Sequence, residues 1–220
     1  NYAIIMQATK TGLTEGSSPS GFDYDREVIV INITRIKKII LLDGGKQVVA
    51  LPGSTLHELE KELTSINRAP HSVIGSTTIG ATVVGGIANN AGGALCKRGS
   101  SYTELSLFAR VDKEGNLELV NNISIKNLGE TPEEIFKSLE AGNIPIEDIS
   151  ELDKAASDRD YQQRIRKMDA DIPNRYNADP NRLYEVSGSA GKVVAFAVRV
   201  DTYPMPESKQ VFYLGTNNPD

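Results

Sequence analysis

The chain has 220 residues, with 24 Lys+Arg against 29 Asp+Glu, a formal charge of −5 at pH 7. That length buries a core without staples, and hydrophobic and charged shares of 39% and 24% are those of a globular chain, not a disordered one. The acidity excludes a general nucleic-acid binder, which needs a broad positive surface; the single Cys96 excludes an intramolecular disulfide framework and points to a reducing compartment; and two histidines, His57 and His71, exclude a His-rich metal site or a histidine triad.

In chain order, residues 3–6 read as a short buried strand with almost no lead-in. The chain does not open on Met, and it stops at Asn217-Asn218-Pro219-Asp220 just beyond an apolar stretch, so the expectation is a piece of a longer protein. A polar, glycine-containing loop follows from Ala8 to Gly21. Val28 to Ile33 is rich in β-branched residues and reads as a strand. Ile39 to Leu42, the turn signal Asp43-Gly44-Gly45, and Gln47 to Leu51 make a hairpin. Thr55-Leu56-His57-Glu58 has the capping-box pattern, and Leu56, Leu59, Leu63 and Ile66 recur at helical spacing, which predicts a helix over 55–65. Residues 105–111 and 117–125 read as two strands joined by a turn. Thr131, Pro132 and Glu134 start a helix that Gly142 stops.

Residues 144–178 are charged and weakly patterned, an exposed insertion with a polar helix near 157–168. Asp179-Pro180 starts a short helix, and Ser187 to Gly191 is a small-residue turn. Val193 to Val200 reads as a strand buried on both faces, and Val211 to Leu214 as one more strand. No run of about 18 apolar residues and no signal-peptide pattern is present.

Two segments have the composition of ligand-binding loops. In the first, Ala8-Thr9-Lys10-Thr11-Gly12-Leu13-Thr14-Glu15-Gly16-Ser17, glycine lets backbone approach a ligand and successive N–H groups form an anion-binding nest, with hydroxyls and Lys10 adding donors. That composition suits a pyrophosphate; the alternative is an ordinary surface turn. Neither a P-loop nor a Gly-x-Gly-x-x-Gly fingerprint is present. The second segment, Gly75 to Gly93, has six glycines in 19 residues, and no charge occurs from Pro70 to Leu95. A large planar ligand lying against backbone would account for it, with Thr82 or Asn89 bonding its polar edges; a tightly packed turn and helix is the alternative. His71 reads as structural, His57 as solvated, and Cys96 as a buried structural thiol, the alternative being a thiol whose pKa the neighbouring Lys97-Arg98 lowers. Glu15 is the only carboxylate in the first loop, and no pair of carboxylates stands out as an acid/base couple.

These two segments resemble the flavin-contacting stretches of the vanillyl-alcohol-oxidase, or PCMH-type, FAD-binding flavoproteins. Pro70 to Gly75 and Gly85 to Gly93 are similar to that family's second contact region. The sequences around Arg98-Gly-Ser-Ser-Tyr102-Thr103-Glu104, Ala170 to Pro173, Arg175 to Pro180 and Phe212 to Asn217 are similar to the bacterial quinone-dependent D-lactate dehydrogenases. The resemblance runs along nearly the whole chain. Two departures stand out: Lys10 where the family usually has Asn, and Ser189 where it commonly has Cys.

The resemblance implies an α+β fold, a PCMH-type FAD-binding domain of two α+β subdomains, incomplete at the N-terminus. Residues 1–66 would form the N-terminal subdomain, with the pyrophosphate loop at 8–17, and 67–220 the second, with the polar insertion near 144–178. It implies FAD contacts at Ala8, Thr9, Lys10, Thr11, Gly12, Gly16, Ser17, Gly75, Thr82, Gly92 and Ala195. By the same likeness the parent would oxidise D-lactate to pyruvate and pass electrons to a membrane quinone. It would be a peripheral protein on the cytoplasmic side of the bacterial inner membrane, bound through regions absent here. Substrate and catalytic residues would also lie in those regions, so the chain alone is expected to be inactive. No metal and no nucleic-acid partner is expected. The alternatives are an FAD-dependent dehydrogenase of another 2-hydroxy acid, or a non-enzymatic nucleotide-binding module.

Overall fold

In the computed structural model, which describes residues 2–21, 24–93, 95, 97–150, 153–171 and 182–217, β1 (Tyr2–Gln7) and β2 (Glu27–Asn32) pair in parallel, Tyr2 opposite Glu27 and Gln7 opposite Asn32. β3 (Ile39–Leu42) and β4 (Gln47–Ala50) form the expected hairpin across a 3-10 turn at Asp43–Gly45. Then come α1 (Leu56–Thr64), β5 (Arg68–Ala69), α2 (Val83–Ala88), β6 (Ser106–Val111), β7 (Leu117–Asn121) and α3 (Pro132–Ala141). A 3-10 turn at Ile146–Asp148, the one-turn α4 (Tyr161–Arg164), β8 (Val194–Asp201) and β9 (Tyr203–Pro204) complete the order.

One antiparallel sheet, in the order β3-β4-β8-β6-β7, organises the molecule. Because strand side chains alternate between faces, its inner positions divide into two cores. Val48 and Ala50 of β4, Phe108 of β6 and Val198 and Val200 of β8 pack with Leu56, Leu59 and Leu63 of α1 and Val83, Val84 and Ile87 of α2. Val49, Leu107 and Ala197 face the other way, onto Ile135 and Leu139 of α3. The sheet is therefore covered on both faces, and each buried leucine contributes about 2 kcal/mol of transfer free energy. Both capping boxes form: Thr55 and Thr131 accept from the Glu58 and Glu134 N–H groups, and each Glu carboxylate accepts in return.

Arg199 interrupts the apolar run of β8 yet is 4% exposed. Its Nε donates to Gln47 Oε1 at 2.7 Å and its Nη1 to the Ser124 carbonyl at 2.9 Å, which ties the 122–150 segment to the sheet.

The structure departs from the sequence reading in four places. The strand expected to be buried over 3–6 is β1, and Ile4 on it is exposed, because among the described residues β1 pairs with β2 alone. Residues 211–214 are exposed and lie outside any strand, because no described segment offers them a ladder. The polar helix near 157–168 is the single turn α4, since that stretch has no apolar stripe to bury. The strand from Leu117 ends at Asn121, beyond which Ile125 makes an isolated bridge to Ile149. The helix at Asp179-Pro180, the Arg175 to Pro180 motif and Cys96 lie outside the described residues.

Candidate functional site

The first glycine loop leaves β1 directly. Lys10 and Glu15 take positive φ, 57° and 55°. The chain turns back twice, with the Glu15 N–H donating to the Gly12 carbonyl (3.1 Å) and the Ser18 N–H to the Glu15 carbonyl (2.8 Å). The Gln7 amide closes the loop by donating to the Ser17 carbonyl at 2.7 Å. Among the described residues, the N–H groups of Thr9, Lys10, Thr11 and Gly12 have no protein acceptor, and the hydroxyls of Thr9, Thr11 and Ser17 have no protein partner. The loop thus holds successive backbone donors and three hydroxyls not used within the described residues, the donor set a pyrophosphate requires. Glu15 is exposed on its turn, with no acid/base partner among the described residues.

The second segment is a series of turns leading into a short helix. The Thr77 N–H donates to the Ile74 carbonyl (3.0 Å), and the Ala81 N–H to the Ser76 carbonyl (3.0 Å). Two bonds fasten it to the start of α1: the Leu56 N–H donates to the Ala81 carbonyl (2.8 Å), and the Val83 N–H to the Ser54 carbonyl (3.0 Å). Thr82 is buried and caps α2, its Oγ1 accepting from the Gly85 N–H at 3.0 Å. This uses a lone pair and leaves the hydroxyl proton to donate elsewhere. Asn89 is committed, because its Nδ2 donates to the Gly85 carbonyl at 2.9 Å. The Gly188 and Ala190 N–H groups donate to the Ile87 and Ala88 carbonyls, so the small-residue turn fixes the far end of α2. A Cβ on Gly93 would stand 2.5 Å from the Val73 carbonyl oxygen and 2.7 Å from Ser72 Oγ, so only glycine lets the two ends of the segment close.

The two loops approach each other: a Cβ on Gly80 would lie 4.0 Å from Thr9 Cγ2. Gly12 and Gly75 face open space, with no heavy atom within 4 Å of where a Cβ would stand. Leu13 and Ile79, at the tips, are 100% and 71% exposed. Gly16 and Gly92 are exposed. Ala195 is half-buried in β8 opposite Phe108, against the core that also holds α2. No hydrogen bond joins the 8–17 loop to β8 among the described residues.

Composition did not disclose the state of His71. It is 5% exposed, and among the described residues neither ring nitrogen has a hydrogen-bond partner; the Ser72 and Ser101 hydroxyls, also buried, have none either. Burial holds its pKa down to about 4, with the nearby Arg98 charge lowering it further and Asp201 opposing. The ring is neutral at neutral pH. The Tyr102 hydroxyl donates to Glu104 Oε1 at 2.8 Å, and burial together with that carboxylate pushes its pKa up. His57 is exposed on α1, as expected. The described residues hold no cluster of three His, Cys, Asp or Glu side chains placed for a metal ion.

Open glycine surfaces, free backbone donors and hydroxyls on one loop, and an uncharged second loop near it suit a dinucleotide with a pyrophosphate and a large planar ring. Residues 6–117 match the family described as FAD binding domain, and the chain belongs to that family, with FAD as its cofactor. The fold is α+β, of the PCMH-type FAD-binding kind. Among named proteins, the chain is similar to the quinone-dependent D-lactate dehydrogenases of Escherichia coli K12 (54% identical over 217 residues), Haemophilus influenzae (51% over 214) and Corynebacterium glutamicum (44% over 218). Those alignments cover 97–99% of this chain, which spans 38% of the length of each relative. Two structures of alkyldihydroxyacetonephosphate synthase, 14% identical, share the fold, with TM-scores of 0.52 and 0.53. They cover 94% of this chain and 28% and 29% of their own.

Proposed function

We propose that this chain is the FAD-binding part of a respiratory flavoenzyme that oxidises D-lactate to pyruvate and reduces a quinone to the quinol. The observation that carries the reading is identity of 54% sustained over 99% of the chain with a relative of that name. Two hydrogens leave the 2-hydroxy acid and two arrive on the quinone, so the reaction balances without a further reactant. The redox chemistry is supplied by FAD when bound, and the protein binds and orients it.

In this reading the N–H groups and hydroxyls of Ala8, Thr9, Lys10, Thr11 and Gly12, with Gly16 and Ser17, hold the pyrophosphate. Gly75, Gly92 and the donating hydroxyl of Thr82 lie along the rest of the dinucleotide, and Ala195 offers backbone from β8. The flavin segments divide at residue 66, with 1–66 holding the pyrophosphate loop and 67–220 the second segment and the polar insertion; both contribute strands to one sheet. Substrate binding, proton transfer and attachment to the cytoplasmic face of the inner membrane belong to regions outside this chain. Among the described residues no helix is long and apolar enough to cross a membrane.

The test is anaerobic addition of D-lactate to the purified intact protein. Flavin absorbance should bleach, and a quinone should restore it. A colourless protein, or a flavin that no 2-hydroxy acid bleaches, removes the proposal; bleaching by a different 2-hydroxy acid alone reassigns the substrate.

A further inference from the structure

At the two ends of the second glycine segment a cavity of about 110 Å³ opens between α1, the β5–β9 pair and the turn before Gly99. Three cations line it, Arg68, Arg98 and Lys209, against one carboxylate, Glu60. The β5–β9 ladder sets Ala69 opposite Tyr203, and the Arg98 guanidinium stacks 4.2 Å above the Tyr203 ring. Arg68 donates from Nε to Thr202 Oγ1 (2.6 Å) and from Nη2 to the Thr202 carbonyl (2.9 Å), which leaves Nη1 unused. Arg98 donates from Nη1 to the Pro70 carbonyl, and among the described residues its Nε and Nη2 are unused. Among the described residues none of the three cations has a carboxylate partner.

Both guanidiniums are partly buried. A desolvated cation without a counter-charge is unfavourable, and a planar fork with free N–H groups is shaped for an oxyanion. A water molecule occupies about 30 Å³ in the liquid, so the cavity has room for an ion of a few heavy atoms. We propose that this cavity is a binding site for a small oxyanion, held by the unused donors of Arg68 and Arg98 and closed by the Lys209 ammonium. Inorganic phosphate and a short carboxylate share that chemistry. The inference does not rest on the flavin reading: Pro70 and Val73 of the second segment line the cavity, but its three cations are not among the residues assigned to FAD.

The experiment uses the intact protein loaded with FAD, so that the pyrophosphate loop is occupied. Inorganic phosphate and, separately, acetate are titrated at constant ionic strength against chloride, with thermal stability and ³¹P or ¹³C line widths as readouts. A saturable response is expected. Lys209→Gln, on an exposed side chain, should weaken it about threefold, and Arg98→Gln should weaken it about tenfold or more. Saturation by phosphate alone assigns a phosphate site, and by acetate alone a carboxylate site. Absence of saturation by either ion beyond the chloride control overturns the proposal, and so does unchanged affinity in Lys209→Gln. The flavin spectrum of Lys209→Gln should match the parent protein, so this test and that of the flavin reading fail separately.

Discussion

His71 makes the pH behaviour of the fold asymmetric. Its ordinary pKa of 6.5 falls to about 4 in the folded chain, mainly because burial disfavours the imidazolium and secondly because Arg98 lies near. In the unfolded chain the ring takes up a proton below pH 6.5, whereas the folded chain resists until about pH 4. Protons therefore favour unfolding across that window. The stabilisation from the neutral ring is complete above pH 6.5 and is lost as pH falls through about 4, amounting to ~3 kcal/mol at the acid end. In His71→Leu, which is apolar and does not titrate, the midpoint of thermal unfolding should fall less steeply between those pH values than in the parent. Carboxylate titration is common to both proteins and cancels in the comparison. Parallel curves would show that the ring is not buried in its neutral form.

At the scale of elements, the two threonine caps separate stability from binding. Thr82 caps α2 within the second glycine segment, proposed here to face FAD, and Thr131 caps α3 on the opposite face of the sheet. Thr82→Val and Thr131→Val each remove a cap worth about 1 kcal/mol. Thr82→Val should in addition weaken FAD binding about tenfold, the loss of one hydrogen bond, while Thr131→Val leaves it unchanged and Thr82→Ser restores both properties. Equal FAD affinity in the two valine variants, measured by flavin fluorescence, would remove Thr82 from the site. The Thr55 and Thr131 caps were legible because a capping box is four consecutive residues, and the β3–β4 and β6–β7 hairpins because their turns are short; Thr82, which caps α2 without a box, was not legible as a cap. The β5–β9 pair was not legible: it joins Arg68 and Ala69 to Tyr203 and Pro204, and local pattern carries no information at that separation. Val211 to Leu214 has the composition of a strand, but a strand also needs a ladder partner. Glycine content singled out both loops of the proposed site. The approach of Gly80 to Thr9, and the burial of His71, depend on packing. Lys10 is an intermediate case. Its φ of 57° is a left-handed conformation that Asn adopts more readily than Lys, which gives a backbone reason for the asparagine usual at this position in the resembling family.

The whole molecule combines a well-covered sheet with two poorly covered apolar regions. β1 and β2 form an isolated parallel pair, and Tyr2, Ile4, Ile29, Val30 and Ile31 on it are exposed. Parallel strands normally lie buried on both faces, and a two-stranded sheet is marginal on its own. Val211, Phe212, Tyr213 and Leu214 form the second region, the last two 95% exposed. This chain spans 38% of the length of its named relatives, so in an intact protein of that length further chain is available to cover both regions. Hydrogen exchange distinguishes covered from open backbone residue by residue. In the intact protein, amides of β1 and β2 should exchange nearly as slowly as those of β4 and β8. In the 220-residue chain alone they should exchange about 100-fold faster, a local difference of roughly 2.7 kcal/mol, with β4 and β8 little changed. Residues 211–214 should follow β1 and β2. Equal protection of β1 and β2 in both proteins would mean that the parallel pair is stable through its own contacts and that its apolar face is a surface of the intact protein.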